Sequence, residues 1–316
     1  MKGADYAIEC EGLTKKFGEF KAVDSIHLKI KKGELFGFLG PNGAGKTTTI
    51  KMLTTLLTPN AGEAKVAGFD LKGEPEFVRS RIGVVPQEFA LFGELTATEN
   101  LWYIGKLFGM SDAGLKKRGE ELLKIVGLYE HRNLPSEGYS GGMKQRLSVA
   151  AGLLHTPEIV FMDEPTTGLD PQSRIALREL TKKLNESGIT IVYTTHDMEE
   201  ADKLCERIAI MDKGKIIAEG TPEELKHKYG GMHKIELELG RHEGKVLSEL
   251  KELVGAKEMK MDGKVIELSV PSVHGDVLHR TSNFFARKRV EVKEMRTREP
   301  SLEDVFINLT KKDARG

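Results

Sequence analysis

Leu35-Phe36-Gly37-Phe38-Leu39-Gly40-Pro41-Asn42-Gly43-Ala44-Gly45-Lys46-Thr47-Thr48 is the stretch that decides the fold. Its apolar first five residues read as a buried strand, and the spacing of Ile50, Leu53 and Leu57 predicts a helix over Thr47 to Leu57. Between strand and helix, Gly40 to Thr47 places two glycines, Gly40 and Gly45, with four residues between them, then a lysine, then a hydroxyl residue, which is the phosphate-loop pattern. Glycines let backbone N–H groups converge on phosphate oxygens, and the helix N-terminus adds its partial positive charge. In such a loop Lys46 reaches the β- and γ-phosphates of a nucleotide and the Thr47 hydroxyl ligates Mg²⁺. A chance glycine turn would lack the flanking strand and helix.

Outward from the loop, Ile8 and the stretch Val23 to Ile30 mark a β-rich entry, closed by a turn at Lys32-Gly33. Downstream, Ile82 to Val85 reads as a strand, and Thr96-Ala97-Thr98-Glu99 has the capping-box spacing that opens a helix through Leu101, Ile104 and Leu107. Helices are also expected over Leu115 to Val126, from Ser140-Gly141-Gly142 to Leu154, and after Pro171, with strands at Ile159 to Met162 and Ile189 to Tyr193. This alternation predicts an α/β core with a mostly parallel sheet. The strand ending at Met162 runs into Asp163-Glu164, at the edge where parallel sheets bind ligands. Alone, such a pair is more often a solvated strand end or a helix cap. Beside a phosphate loop, Asp163 reads as the holder of the magnesium shell and Glu164 as a general base for the attacking water.

The pattern changes beyond Tyr229-Gly230-Gly231, which reads as a linker. Strands are expected at Ile235/Leu237/Leu239, near Met259, at Ile266/Leu268/Val270 and at Val290/Val292, with helical faces at Val246/Leu250/Leu253/Val254 and Val273/Val277/Phe284/Phe285. The order β-α-β-β-α-β is a split-βαβ, ferredoxin-like pattern; the alternative is an irregular extension. Lys311 to Gly316 reads as a frayed polar tail.

Composition narrows the classes of function. Lys plus Arg and Asp plus Glu are each 48 of 316 residues, so the net charge is zero and no nucleic-acid partner is expected. Cys10 and Cys205 stand far apart, which suggests neither a disulfide framework nor a zinc site and points to a reducing cytoplasm. From Met1 onward, Lys2, Asp5, Glu9 and Glu11 interrupt any apolar leader, and the runs around Leu35 and Ile159 fall short of the ~20 residues a bilayer needs. If the protein serves a membrane, another chain must supply the spans.

Tyr139-Ser140-Gly141-Gly142-Met143-Lys144-Gln145-Arg146 resembles the signature of ABC ATPases. Companion motifs stand in the family's order: Val85-Pro86-Gln87, Pro165-Thr166-Thr167-Gly168-Leu169-Asp170 and Thr195-His196-Asp197, with Phe17 ahead of the strand at Val23. The resemblance covers Tyr6 to Tyr229. It implies a P-loop NTPase domain over residues 1–229, with a helical subdomain over about residues 88–155, followed by an accessory α+β ferredoxin-like domain over residues 230–316. Two residues depart from the commoner signature: Tyr139 stands for Leu and Met143 for Gln, and a thioether cannot donate the hydrogen bonds of an amide. This variant, with Glu299-Pro300-Ser301-Leu302-Glu303-Asp304-Val305-Phe306, resembles the daunorubicin-resistance-type subfamily.

That resemblance implies site roles residue by residue. Gly40, Pro41, Asn42, Gly43, Ala44, Gly45, Lys46, Thr47 and Thr48 would cradle the phosphates of ATP, and Phe17 would stack on adenine. Ser140, Gly141 and Gly142 would form a second anion site facing the nucleotide of an opposite subunit, with Asp170 communicating across the interface. His196 would contact the γ-phosphate, and Gln87 would sense Mg²⁺ or water beside Thr47 and Asp163. The implied assembly is a homodimer with ATP at its interface, peripheral on the cytoplasmic face of the membrane, driving transport, mostly export, through a separate permease. A soluble ABC ATPase of translation or DNA repair is the alternative. Against it stand the single phosphate loop and a Gln87-to-Ser140 span too short for a long coiled coil.

Overall fold

The structure is a computed structural model that describes residues 6–240, 244–263, 265–271 and 275–313. Val273, the side chain of Val246, the tail beyond residue 313 and the N-terminal Met1, Lys2 and Asp5 lie outside the described residues. The chain divides into two units, Met1–Pro222 and Glu223–Gly316.

The first unit begins with strands β1 (Tyr6–Phe17), β2 (Phe20–Lys31) and β3 (Leu35–Leu39), then helix α1 (Lys46–Leu53), β4 (Ala61–Val66), β5 (Phe69–Asp70), α2 (Pro75–Arg81) and β6 (Ile82–Val85). A helical segment comes next, with α3 (Ala97–Leu107), α4 (Asp112–Ile125) and α5 (Gly141–Gly152). The chain then returns through β7 (Ile159–Asp163), α6 (Pro171–Glu186), β8 (Thr190–Thr195), α7 (Met198–Leu204), β9 (Arg207–Asp212) and β10 (Lys215–Gly220). Two sheets result. An antiparallel sheet runs β2-β1-β4-β5, and a mostly parallel one runs β10-β9-β3-β8-β7-β6.

Every residue of β3, β7 and β8 is buried, as a parallel sheet covered on both faces demands. The register of these strands sets the geometry of the sheet edge. In the parallel pairs Asp163 lies opposite Thr194, and Leu39, one residue before the glycine loop, lies opposite Thr195. The ends of three strands therefore deliver the loop, the carboxylates and the Thr194-Thr195-His196 segment to the same sheet edge.

Helix α1 stops at Leu53, a turn earlier than the apolar spacing predicts. The Thr54 hydroxyl turns back onto the Ile50 carbonyl at 2.8 Å, Thr55 takes a left-handed φ of 63°, and the Leu57 N–H bonds the Lys51 carbonyl at 2.8 Å. Local hydroxyl bonds of this kind compete with helix continuation. At α3 the expected capping box is present: Thr96 Oγ1 accepts from the Glu99 N–H at 3.1 Å and the Glu99 carboxylate accepts from the Thr96 N–H at 2.8 Å.

Asn100, on α3, is fully buried and ties the preceding loop to the helix. Its Oδ1 accepts from the Phe92 N–H at 2.8 Å, and its Nδ2 faces the carbonyls of Phe92, Leu95 and Thr96 at 3.0, 3.1 and 3.0 Å. Ser136 Oγ closes the knot by donating to the Phe92 carbonyl at 2.9 Å.

The second unit holds α8 (Pro222–Tyr229, its first residue at the unit boundary), β11 (His233–Leu239), α9 (Gly244–Leu253), β12 (Glu258–Asp262), β13 (Val265–Val270), α10 (Gly275–Lys288), β14 (Val292–Arg298) and α11 (Leu302–Asp313). Its four-stranded sheet is ordered β12-β13-β11-β14 with every pair antiparallel, the ferredoxin-like arrangement. Ile235, Leu237, Leu239, Leu250, Ile266, Leu268, Val270, Val277 and Phe285 build its core. Val290 is not in a strand as expected, because its N–H bonds the Phe285 carbonyl at 3.1 Å and finishes the end of α10. The break between units comes at Pro222, and Tyr229-Gly230-Gly231 belongs to the second unit, where Asn308 Nδ2 donates to the Tyr229 carbonyl at 3.0 Å. Helix α11 has no counterpart among the expected elements. It is capped by Ser301, which accepts from the Asp304 N–H while the Asp304 carboxylate accepts from the Ser301 N–H.

Asn100→Leu keeps much of the side-chain volume but strands the Phe92 N–H and takes one donor from each of three carbonyls that keep another, so it should cost about 2 kcal/mol of stability. Urea unfolding of the full chain measures the loss.

Candidate functional site

A cleft of about 390 Å³ opens at the sheet edge, lined by Phe17, Phe20, Ala22, the loop from Asn42 to Thr48, Gln87 and Glu164. At Gly45 the loop admits nothing but glycine. A methyl group on Gly45, whose φ is 105°, would come within 2.6 Å of the Ala22 carbonyl oxygen. Helix α1 starts immediately after, so its first N–H groups point into the cleft.

Lys46 is buried, and all three donors of its ammonium are engaged within the chain. Nζ donates to the carbonyls of Gly40 at 2.7 Å and Pro41 at 3.1 Å, and pairs with Glu164 Oε1 at 3.1 Å. Glu164 is equally buried, at 7% exposure, and takes a left-handed φ of 46°, which costs energy for a residue with a Cβ. The conformation is held by its own N–H, which faces the Thr194 Oγ1 at 2.9 Å. Its second oxygen accepts from Thr167 Oγ1 at 3.2 Å and meets His196 Nδ1 at 2.9 Å. Burial opposes ionisation of Glu164, but the hydrogen bond and charge of Lys46, joined by His196, outweigh it and hold the carboxyl below the ordinary glutamate value. The carboxylate is therefore charged at neutral pH.

Asp163 sits one residue earlier. Its Oδ1 accepts from Thr194 Oγ1 at 2.6 Å and from Thr47 Oγ1 at 3.1 Å, so the two groups expected to handle a metal are already in contact. Their donors are hard oxygens. Among the described residues no group of three or more His, Cys, Asp or Glu could hold an ion.

Ser140, Gly141, Gly142 and Asp170 do not line this cleft and form a second cluster. Ser140 caps α5 by accepting from the Met143 N–H at 3.2 Å, and Asp170 caps α6, taking the Ser173 N–H at 3.0 Å and the Ser173 hydroxyl at 2.6 Å. The first turns of the two helices touch: a methyl on Gly142 would lie 2.2 Å from Ser173 Oγ. Tyr139 is buried and donates to the His131 carbonyl at 2.7 Å, so the departure from leucine fills a packing position.

Four participants escape a reading of the sequence alone. Thr194 and Thr167 shape both carboxylates, Phe20 adds a second exposed ring to the cleft beside Phe17, and Asn100 anchors the loop after Gln87. A signal exists for Phe20, four positions after Lys16 in an aromatic hairpin. Thr194 looks like any β-branched strand residue until the register is known.

Residues 23–167 match the family described as ABC transporter, and residues 220–310 match the family described as ATP-binding protein DrrA1-3-like, C-terminal domain. The linearmycin resistance ATP-binding protein LnrL of Bacillus subtilis is 39% identical over 96% of this chain and 98% of that protein. The daunorubicin/doxorubicin resistance ATP-binding protein DrrA of Streptomyces peucetius is 40% identical, over 96% of this chain and 92% of that protein. Among solved structures, a dimeric post-hydrolysis state of the ATP-binding cassette MJ0796 bound to ADP and phosphate is similar at 33% identity and a TM-score of 0.61, covering 68% of this chain and 98% of that one.

The Lys46–Glu164 pair should make stability depend on pH. Because the folded Glu164 carboxyl titrates below its ordinary value, its contribution is complete above about pH 4.5 and is lost as the pH falls through the lowered value. Glu164→Gln should destabilise the chain at pH 7 by less than the roughly 3–5 kcal/mol typical of a broken buried pair, since Lys46 keeps two carbonyls. The difference from the unsubstituted chain should shrink toward zero in acid, as urea unfolding at pH 7 and below pH 4 would register.

Proposed function

The chain belongs to the ABC transporter ATP-binding proteins, as an ATP-binding and ATP-hydrolysing subunit that works with a separate membrane permease, and from that premise we propose how its residues divide the work. The observation that carries the reading is a split between two surfaces. One chain holds a phosphate loop with Lys46 and Glu164 in one cleft, while Ser140, Gly141, Gly142 and Asp170 stand outside it. A second copy would have to bring its own Ser140 helix N-terminus to the γ-phosphate, so the working form is a homodimer with ATP between its surfaces.

Within a cleft, the Gly40 to Thr48 loop would wrap the phosphates and Phe17, with Phe20, would present ring faces to adenine. Glu164, ionised at neutral pH, accepts the proton of the attacking water as its oxygen bonds to the γ-phosphorus and the bond to ADP breaks. His196 and Thr167 hold the carboxylate from one side while Lys46 offers positive charge to the phosphates. Thr47 and Asp163 would hold Mg²⁺, with Gln87 near its waters; bound there, the ion would neutralise charge on the β- and γ-phosphates.

Among the described residues no helix is long and apolar enough to cross a membrane. Likeness to resistance ATP-binding proteins supports export of a small molecule by a partner permease, from a peripheral position on the cytoplasmic face. The loop after Gln87 suits the contact: Phe89 and Phe92 are 41% and 49% exposed, and Phe92 packs edge-on against the half-exposed Tyr103 at 4.8 Å. Aromatic side chains that a domain leaves uncovered are favoured at interface centres.

Two outcomes test this reading. Glu164→Gln should keep ATP binding, lose nearly all turnover and accumulate as an ATP-bound dimer in light scattering, whereas Lys46→Ala should weaken binding and stay monomeric. A Glu164→Gln chain hydrolysing at the unsubstituted rate would remove Glu164 from the role of base. Phe89→Ala or Phe92→Ala should leave the soluble ATPase rate within about twofold while cutting transport in permease-containing vesicles, and equal losses in both assays would mean damaged folding instead.

A further inference from the structure

Glu200 is a buried carboxylate that takes no direct part in the hydrolysis of ATP. It lies on α7 with 4% of its surface exposed. One oxygen, Oε2, accepts two hydroxyl hydrogen bonds, from Thr166 at 2.8 Å and from Thr195 at 2.9 Å. Those threonines belong to different loops. Thr166 lies beyond β7 and stands between Glu164 and Thr167, and Thr195 ends β8 immediately before His196. The Thr195 hydroxyl is itself fixed, accepting from the Asp197 N–H at 2.9 Å, and Asp197 in turn caps the helix that carries Glu200 by taking its N–H at 3.0 Å. Tyr193 is buried close by, and burial first, then the charge of Glu200, push its phenol up so that it stays neutral.

The chemistry of this arrangement is that of a clamp. A single anionic oxygen holding two hydroxyls makes bonds stronger than neutral pairs, and a buried carboxylate deprived of donors is costly, so neither loop can leave alone. Each loop also sends one group to the same oxygen of Glu164: Thr167 Oγ1 from the first and His196 Nδ1 from the second. We propose that Glu200 is a positioning residue for hydrolysis, locking the Thr166 and Thr195 loops together so that Thr167 and His196 hold Glu164 in line with the attacking water. The inference rests on Glu164 being the base. It requires no contact between Glu200 and nucleotide, and the hydrogen bonds of Glu200 go to Thr166, Thr195 and Asp197, none of them in the phosphate loop.

A clamp acting through the base predicts loss of rate without loss of binding. In steady-state ATPase assays of the full chain, Glu200→Ala should lower kcat at least tenfold and leave KM for ATP within twofold. Glu200→Gln, whose amide oxygen can still accept both hydroxyls, should recover at least half the rate. In the Glu164→Gln background, adding Glu200→Ala should reduce the residual rate no further, because both changes remove the same function. Should Glu200→Ala fail to fold, Thr166→Val removes one arm of the clamp and should lower kcat severalfold at constant KM. A kcat within twofold of the unsubstituted chain for a folded Glu200→Ala or Thr166→Val overturns the proposal, as do parallel losses of kcat and ATP binding or additive effects in the double variant. Inactivity of Glu164→Gln beside normal rates for the clamp variants would sink the clamp alone, whereas full activity of Glu164→Gln would sink the assignment of the base on which it stands.

Discussion

The parallel register of β7, β8 and β3 is the constraint on which the site depends. Asp163 opposite Thr194 and Leu39 opposite Thr195 bring three loops to one height at one edge of the sheet. A one-residue slip in any pair would turn every side chain to the other face and carry Asp163 away from Thr47. The burial of all three strands on both faces makes such a slip prohibitively expensive, so the core that stabilises the first unit is also what aims its carboxylates.

On that frame the electrostatics are economical. Lys46 and Glu164 neutralise each other inside the cleft, with two carbonyls completing the ammonium, and Asp163 is shared by two threonine hydroxyls. Hydroxyl residues recur because they donate to carboxylates without adding charge. Thr47, Thr167 and Thr194 serve Asp163 and Glu164, while Thr166 and Thr195 serve Glu200. The strained φ of Glu164 has the same origin, for its N–H must turn toward Thr194 while its side chain turns toward Lys46.

Much of this architecture is legible in the residues themselves. Glycine spacing, a lysine and a hydroxyl residue name a phosphate loop because the physics leaves few substitutes, and strict alternation in Ile235/Leu237/Leu239 names the second unit's strands for the same reason. What escapes depends on tertiary pairing. Thr194 and Glu200 carry no local sign of their partners, which lie 31 and 34 residues away for the bonds to Asp163 and Thr166. The early end of α1 escapes because Leu57 keeps the helical spacing after Thr54 and Thr55 have already turned the backbone. Helix α11 does carry a helical apolar face at Leu302, Val305, Phe306 and Leu309, begun by the Ser301/Asp304 cap, but at twelve residues at the chain's end it stands outside the β-α-β-β-α-β order that organised the reading of the second unit.

The contact between Gly142 and Ser173 has a mechanical meaning. Two helix starts, one capped by Ser140 and the other by Asp170, abut so closely that a single methyl group has no room. Helices meshed in this way have no slack, so a small rotation of one is delivered to the other undiminished, as between gears cut without backlash. Any added carbon would force the two helix starts apart and open that play.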